Sequence, residues 1–95
     1  MVGKYRCDSL NEGRRFSKLV WLYRNHSITE LEIHPAFEMV VAGKKICTYE
    51  ADFRFRWNGV RLTEDVKGHE TKDFKLKKKL FEALYPKEIL VMVNV

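Results

Sequence analysis

The first apolar pattern in the chain repeats at helical spacing. From about Leu10 to Asn25 the apolar residues fall on one helical face, and Asp8-Ser9 followed by Glu12 forms a capping signature ahead of them. At about 100° per residue, Glu12 lies in line with this face. Its carboxylate is therefore predicted to point towards the core, either as a capping group or as part of a site on the sheet. The predicted buried stripe consists of Phe16, Leu19, Val20 and Tyr23.

After this helix the apolar residues alternate, which predicts strands. We expect a short strand at Leu31–Ile33 and a second at Phe37–Val41. They are separated by a break at His34-Pro35, because proline cannot donate to a central ladder. His34 is expected to be structural, since no cysteine or histidine stands at ligand spacing from it. A turn at residues 42–45 then leads into a long third strand.

Asn58-Gly59 predicts a tight hairpin at the end of that strand. The dipeptide accepts the positive φ angles of a type I′ turn, and β-branched and aromatic residues flank it on both sides. The predicted register places Phe55 opposite Leu62, Phe53 opposite Glu64, Asp52 opposite Asp65, and Glu50 opposite Lys67. One side of this ribbon is predicted to be a core face, made of Ala51, Phe53, Phe55, Trp57, Val60, Leu62 and Val66.

Two aspartates face each other on the polar side of the hairpin. The Cβ atoms of Asp52 and Asp65 are expected roughly 5 Å apart, and like charges placed directly opposite destabilise a sheet. Two kinds of compensation are open. One is the ammonium group of Lys67, two residues beyond Asp65 on the same face. The other is a divalent cation, since Mg²⁺ prefers a few carboxylate oxygens and keeps several waters.

A second helix is predicted from Thr71 or Asp73 to about Tyr85, where a proline closes it. The apolar run Glu88–Val93 follows and predicts a last strand beside the second arm of the hairpin, reached by a crossover over the helix. The predicted buried stripe of the helix consists of Leu76, Leu80, Phe81 and Leu84.

The composition predicts one folded domain over residues 1–95. The charge predicts that this domain binds an anionic partner. The chain is 45% hydrophobic and has a formal net charge of +5, which favours a polyanion such as nucleic acid. Trp21 lies among the basic residues of the first helix, which suggests a contact surface there. The candidate nucleic-acid contacts are Arg14, Arg15, Lys18, Arg54, Lys72, Lys75, Lys78 and Lys79.

The sequence also predicts a cytoplasmic protein. It contains no apolar run near the roughly 20 residues that span a bilayer, and its first residues lack the apolar segment of a secretory signal. Cys7 and Cys47 match no zinc-binding spacing, and in a reducing compartment we expect both to be thiols.

In its order of elements and charges the chain resembles the PD-(D/E)xK nuclease superfamily. Glu12 on the first helix, Asp52 on one strand and Asp65-Val66-Lys67 on the next match the motifs, while Ala51 stands where the superfamily's name has a proline. Within that superfamily the whole chain resembles a family of small phage-encoded proteins of largely unassigned function, related to Holliday-junction resolvases. This resemblance lies in the stretches DSLNEGRRF, YEADFRF, EDVKG and FKLKKKLFEALYP.

The resemblance implies an α+β fold with a restriction-endonuclease-like αβββαβ core, a central mixed sheet flanked by two helices. It also implies one or two Mg²⁺ ions, replaceable by Mn²⁺. Lys67 would orient or help deprotonate the attacking water. The implied catalytic residues are Glu12, Asp52, Asp65 and Lys67, and the implied metal ligands are Asp52, Asp65, Glu12 and the carbonyl of Val66. Whether Glu50 or Glu64 joins the site remains open.

The expected function is a metal-dependent DNA endonuclease that acts on branched or Holliday-junction DNA in phage recombination or DNA processing. A two-fold homodimer would suit a branched substrate, because it pairs two active sites across the junction. Two alternatives belong to other classes. One is a non-catalytic nucleic-acid-binding module, and the other is a phage protein that binds a host protein through Trp21 and its basic helix.

Overall fold

The computed structural model describes residues 10–67 and 70–94, and these form an α+β fold. Helix α1 spans Leu10–Arg24, and helix α2 spans Lys72–Leu84. The strands, in chain order, are β1 (Thr29–Ile33), β2 (Ala36–Val41), β3 (Lys44–Glu50), β4 (Phe53–Trp57), β5 (Val60–Lys67) and β6 (Ile89–Asn94). The predicted cap Asp8-Ser9 and Cys7 lie outside the described residues.

The main sheet of the fold is mixed and has four strands, in the order β1-β4-β5-β6. Strands β1, β4 and β5 are antiparallel neighbours, whereas β6 lies parallel to β5 after the crossover through α2. The predicted place of the last strand is thereby confirmed. Strands β2 and β3 form a separate antiparallel pair, which is inserted in the chain between β1 and β4.

The predicted hairpin at Asn58-Gly59 is confirmed. Both turn residues have positive φ, 50° for Asn58 and 77° for Gly59, as a type I′ turn requires. The observed ladder pairs Trp57 with Val60, Phe55 with Leu62, and Phe53 with Glu64, which is the register that the turn predicts. A local sequence signal therefore fixes which side of β4 and β5 each residue faces.

The long strand predicted ahead of this turn is wrong, because the chain changes partners at Ala51-Asp52. The N–H of Ala51 donates to the carbonyl of Pro35 (3.0 Å), and the N–H of Asp52 donates to the carbonyl of Glu64 (3.1 Å). Residues before this junction pair with β2, and residues after it pair with β1 and β5. Glu50 consequently lies opposite Ala36 rather than opposite Lys67.

Two apolar clusters cover the two faces of the sheet. The first, under α1, contains Phe16, Leu19, Ile28, Phe53, Phe55 and Val66, with Val93 packed against it. The second joins α2 to the β2–β3 pair and contains Phe37, Met39, Tyr49, Ala51, Phe74 and Phe81, with Leu90 and Met92 packed against it. Neighbouring residues of β6 alternate between the clusters, which puts the clusters on opposite faces.

The predicted core face of the hairpin is only partly correct. Phe53, Phe55 and Val66 pack under α1, but Ala51 belongs to the opposite cluster because it precedes the junction. Trp57 and Val60 are exposed at the tip of the hairpin. The polar side of the hairpin is covered by α2 and the β2–β3 pair, and it buries residues such as Asp65.

Both helices lie close to their predicted bounds, but the face that each buries against the sheet differs slightly from the predicted stripe. Thr71 caps α2 by accepting a hydrogen bond from the N–H of Phe74 (3.1 Å). Phe74 and Phe81, seven positions apart, set the buried face of α2, and this leaves Leu76 69% exposed, contrary to the predicted stripe. Tyr23, in the last turn of α1, is 49% exposed. Within the described ranges, neither helix combines the length and apolar character needed to cross a bilayer.

Candidate metal centre

Three carboxylates from three separate elements meet at one end of the sheet. Glu12 comes from the first turn of α1 and is 3% exposed, and Asp65 comes from β5 and is 1% exposed. Asp52 lies between them at the β3–β4 junction, where its carboxyl is within hydrogen-bonding reach of both Glu12 and Asp65. The convergence predicted from the sequence is found in the described residues, although Asp52 stands just beyond the β4–β5 ladder rather than within it.

Asp52 is held in place by backbone contacts on both sides. Its Oδ2 accepts a hydrogen bond from the N–H of Val66 (2.7 Å), and its carbonyl accepts one from the N–H of His34 (2.9 Å). Together with the bond from its own N–H to Glu64, these contacts tie the β3–β4 junction to β5 and to the end of β1. The carboxyl group of Asp52 is therefore presented in a fixed direction. The predicted role of the Val66 carbonyl as a metal ligand stays a prediction.

His34 lies in this site, which the sequence did not indicate. Its Nε2 lies 3.1 Å from Oε2 of Glu12, and its Nδ1 lies 3.8 Å from Oε1 of Glu50. Ligand atoms of Glu12, His34 and Asp52 all lie within 4.8 Å of one another. The reason is the pairing of β1 with β4, which sets Ile33 opposite Phe53 and so brings the next residue, His34, beside Asp52. A long-range pairing of this kind leaves no signal in local spacing.

The two oxygens of Asp65 have different surroundings. The hydroxyl of Tyr49 donates a short hydrogen bond to Oδ2. Oδ1 is buried and has no hydrogen-bond partner among the described residues, although the Nζ of Lys67 lies 3.3 Å away. Lys67 also lies over the ring of Phe74, 4.8 Å from its centroid. Tyr49 thus fixes the orientation of Asp65, and the second oxygen points towards positive charge.

Burial makes the ionised form of both aspartates costly. The pKa of Asp65 is raised to about 6, chiefly by loss of solvent and also by the neighbouring Asp52 carboxyl, against the lowering effects of Tyr49 and Lys67. Burial likewise raises the pKa of Asp52, with the Val66 N–H acting in the opposite direction. Burial and the bond to Asp65 also raise the pKa of Tyr49, so its hydroxyl remains a donor. A cation between the carboxylates would relieve this repulsion.

The donor atoms fit a divalent cation. Glu12 and Asp52 supply carboxylate oxygens, the ligands that Mg²⁺ and Mn²⁺ prefer, and His34 adds an imidazole nitrogen. Asp65, whose carboxyl contacts that of Asp52, offers a further carboxylate next to this group. Oδ1 of Asp65 is a buried acceptor that still lacks a hydrogen bond, which is the condition a metal ion would satisfy. Glu64 does not belong to this group, since its carboxylate is bound by Arg15.

An open cleft of about 290 Å³ leads to Asp65 and Lys67 from the side of α2. Its polar walls include Tyr49, Glu50 and Lys77, together with Thr71 at the N-terminus of α2. Lys77 was not among the predicted nucleic-acid contacts, although it belongs to the same run of lysines. The cleft gives the buried carboxylates a route to a substrate in solvent.

Two of the predicted nucleic-acid contacts are bound within the fold. Arg15 forms a two-pronged ion pair with Glu64, with its Nε and Nη2 at 2.8 and 2.5 Å from the carboxylate oxygens. Nη2 of Arg54 lies 2.9 and 2.8 Å from the two oxygens of Glu88. These arginines are therefore paired within the fold, and their role as phosphate contacts stays a prediction. The exposed or partly exposed candidates are Arg14, Lys18, Lys72, Lys75, Lys78 and Lys79.

Comparison with known proteins gives a family without an assigned activity. No curated protein and no solved structure matches the chain. The sequence model of one family, described as "Protein of unknown function (DUF1064)", matches residues 1–94. This match covers nearly the whole chain, so the protein belongs to the DUF1064 family.

Proposed function

We propose that this protein is a Mg²⁺-dependent DNA endonuclease of the PD-(D/E)xK type, which hydrolyses phosphodiester bonds. The observation that carries the proposal is the meeting of Glu12, Asp52 and Asp65 at one end of the sheet. Lys67 supports it, because its ammonium group lies 3.3 Å from Asp65. Three acids and one lysine, drawn from strand β5, the β3–β4 junction and helix α1, form the set that this chemistry needs.

The order of elements supports the same assignment. When the inserted β2–β3 pair is set aside, the chain reads α1-β1-β4-β5-α2-β6. The four remaining strands lie in the sheet in their chain order, with only the last pair parallel. This is an αβββαβ arrangement with a central mixed sheet between two helices. We therefore interpret the fold as a restriction-endonuclease-like core with a β-hairpin inserted after its first strand.

Each residue of the site has a task in phosphodiester hydrolysis. A bound Mg²⁺ or Mn²⁺ ion would stabilise charge on the attacked phosphate and supply a hydroxide nucleophile near neutral pH. Asp52, Asp65 and Glu12 would hold the ion through their carboxylates, with the Val66 carbonyl as a further ligand. Lys67 would orient the attacking water and stabilise negative charge on the phosphate.

The substrate is proposed to be branched DNA, such as a Holliday junction, cut by a homodimer during phage recombination or DNA processing. Lys77 of α2 lines the cleft, and Lys72, Lys75, Lys78 and Lys79 belong to the same helix, where their ammonium groups would follow a phosphate backbone. Trp21 is 62% exposed on α1 and offers a surface for a second subunit.

The decisive experiment is a cleavage assay on four-way, flapped, single-stranded and linear duplex DNA, with Mg²⁺, Mn²⁺ or a chelator. We expect metal-dependent cutting, strongest on the branched DNA, and its loss in Lys67→Ala. Lys44→Ala is the matched control, because Lys44 is exposed at the start of β3. If the protein binds DNA with an affinity that falls steeply with salt but forms no product with either metal, the nuclease proposal is rejected in favour of a non-catalytic binding module.

A further inference from the structure

The position of His34 relative to the acids matches that of a metal ligand. An ion that holds six ligands at about 2.1 Å places neighbouring ligand atoms about 3.0 Å apart and opposite ones about 4.2 Å apart. Nε2 of His34 and Oε2 of Glu12 are 3.1 Å apart, as two neighbouring ligands would be. The full set with Asp52 spans no more than 4.8 Å, so movements of about 1 Å would close it around an ion.

The second nitrogen of His34 faces a carboxylate, at a distance longer than a hydrogen bond. Its Nδ1 faces the carboxylate of Glu50 at 3.8 Å. Histidines that bind metals almost always direct their other ring N–H to a carboxylate or carbonyl, which fixes the ring and the tautomer. A proton on Nδ1 directed to Glu50 presents the lone pair of Nε2 to the space shared with Glu12 and Asp52.

A separate observation places an unsatisfied acceptor at the same centre. Asp65 is 1% exposed, and its Oδ1 has no hydrogen-bond partner among the described residues. Its carboxyl meets that of Asp52, which belongs to the group containing His34. This oxygen forms an ion pair with Lys67 at 3.3 Å but receives no hydrogen bond, so the pocket holds a further oxygen ligand beside the three clustered atoms.

We propose that His34 binds the metal directly through Nε2, and that this nitrogen makes the centre select Mn²⁺ over Mg²⁺. The inference rests on the proposed function for the existence of an ion at these carboxylates, and it adds the identity of the ion. Imidazole favours transition metals over Mg²⁺, whose preferred ligands are carboxylates, carbonyls and water. A centre of oxygens alone would lack this discrimination.

The first test detects coordination of a histidine nitrogen to the metal directly. Pulsed electron paramagnetic resonance of Mn²⁺ bound to the whole protein detects a coordinated ¹⁴N, and labelling of histidine with ¹⁵N changes that signal. We expect the coupling in the parent protein and its loss in His34→Asn. His26→Asn is the matched control, because His26 is exposed and both histidines have positive φ, 63° and 52°, which asparagine tolerates.

Metal affinities provide the second measurement. Titration with Mn²⁺, and competition by Mg²⁺, should give at least about tenfold tighter binding of Mn²⁺ in the parent. His34→Asn should weaken Mn²⁺ binding about tenfold or more, and should change Mg²⁺ binding by less than about threefold. His34→Gln is a second variant in case the first does not fold, and the same losses are expected there.

The outcomes separate this inference from the proposed nuclease. Bound Mn²⁺ without nitrogen coupling, equal affinities in the His34→Asn and His26→Asn variants, or no Mn²⁺ binding at millimolar concentration would each overturn it. Nitrogen coupling in a protein that cuts no DNA would support His34 as a ligand and reject the nuclease. Metal-dependent cutting without nitrogen coupling would do the opposite.

Discussion

Asp65 is the side chain whose surroundings oppose its ionised form most clearly. It is buried in β5, meets a second carboxyl, and leaves one oxygen without a hydrogen bond among the described residues. Lys67 offsets part of this cost at 3.3 Å, but the pKa of Asp65 still rises to about 6. An ionised carboxylate in these surroundings lowers the stability of the folded protein unless a cation is bound. Replacing Asp65 therefore tests for the cation site.

Asp65→Asn should raise the stability of the metal-free protein and abolish cleavage. The amide keeps an oxygen for the hydroxyl of Tyr49 and removes the charge that repels Asp52. A shift of the pKa from 3.8 to about 6 corresponds to a gain on the order of 3 kcal/mol near neutral pH. The free energy of unfolding in denaturant, measured with a chelator present, checks the first effect, and the DNA assay checks the second.

Asp73→Asn is the control for that change. Asp73 is exposed in the first turn of α2, where a negative charge stabilises the helix N-terminus. Its replacement should lower stability slightly instead of raising it. A lower melting temperature of Asp65→Asn than of the parent, without metal, would contradict the facing arrangement of the carboxylates.

The stability difference between the parent and Asp65→Asn should depend on pH. Asp65 titrates near 3.8 when unfolded and near 6 when folded, so the folded state binds the proton more tightly. Its stabilising contribution is then fully present below about pH 3.8 and is lost as the pH rises through about 6. The advantage of the asparagine variant should therefore grow between about pH 4 and pH 6 and level off above that. Chelator-treated samples that show a constant difference over this range would refute the raised pKa.

At the scale of elements, the docking of α1 on the sheet decides where Glu12 lies. Arg15, three positions after Glu12, binds the buried carboxylate of Glu64 on β5 with both prongs of its guanidinium group. Phe16 stacks against Phe53 of β4 in the same interface. This ion pair and these rings set the distance from the helix to the sheet, and with it the position of the Glu12 carboxylate.

Arg15→Ala should destabilise the protein by about 3 kcal/mol, because it leaves the charge of Glu64 buried without a partner. Arg14→Ala, at an exposed neighbouring position, should change the free energy of unfolding by no more than about 0.5 kcal/mol. Urea titrations of both variants give these values. The double variant Arg15→Met with Glu64→Gln should recover part of the loss. Equal effects of Arg14→Ala and Arg15→Ala would assign Arg15 to the surface.

The elements that the sequence predicted correctly are those with local signals. Asn58-Gly59 requires positive φ at both positions, and Pro35 interrupts a ladder whatever its partner is. The partner change at Ala51-Asp52 has no such signal, because alternation looks the same whether a strand pairs with β2 or with β5. The pairing of β4 with β1 beyond this point also places His34 beside Asp52. The acids could therefore be predicted from motif spacing, and the histidine could not.

At the scale of the whole molecule, the proposed ion would join three parts of the chain that are distant in sequence. Glu12 belongs to α1, and Asp65 belongs to β5. Asp52 lies at the junction between the inserted β2–β3 pair and β4. In the metal-free protein the same three groups repel one another. Binding thus adds the attraction of the ion and removes a repulsion, and both changes favour the folded state.

Mg²⁺ should raise the melting temperature of the protein, and the size of the rise should follow saturation of the site. An ion at 100 times its dissociation constant stabilises the folded state by about 2.7 kcal/mol when the unfolded chain does not bind it. Thermal unfolding at increasing Mg²⁺, with NaCl adjusted to hold the ionic strength constant, measures this effect. Glu12→Gln and Asp52→Asn should each reduce the shift, whereas Glu38→Gln, an exposed position on β2, should leave it unchanged. An equal shift in all these proteins would mean that Mg²⁺ acts away from the three acids, and the metal centre would have to be abandoned.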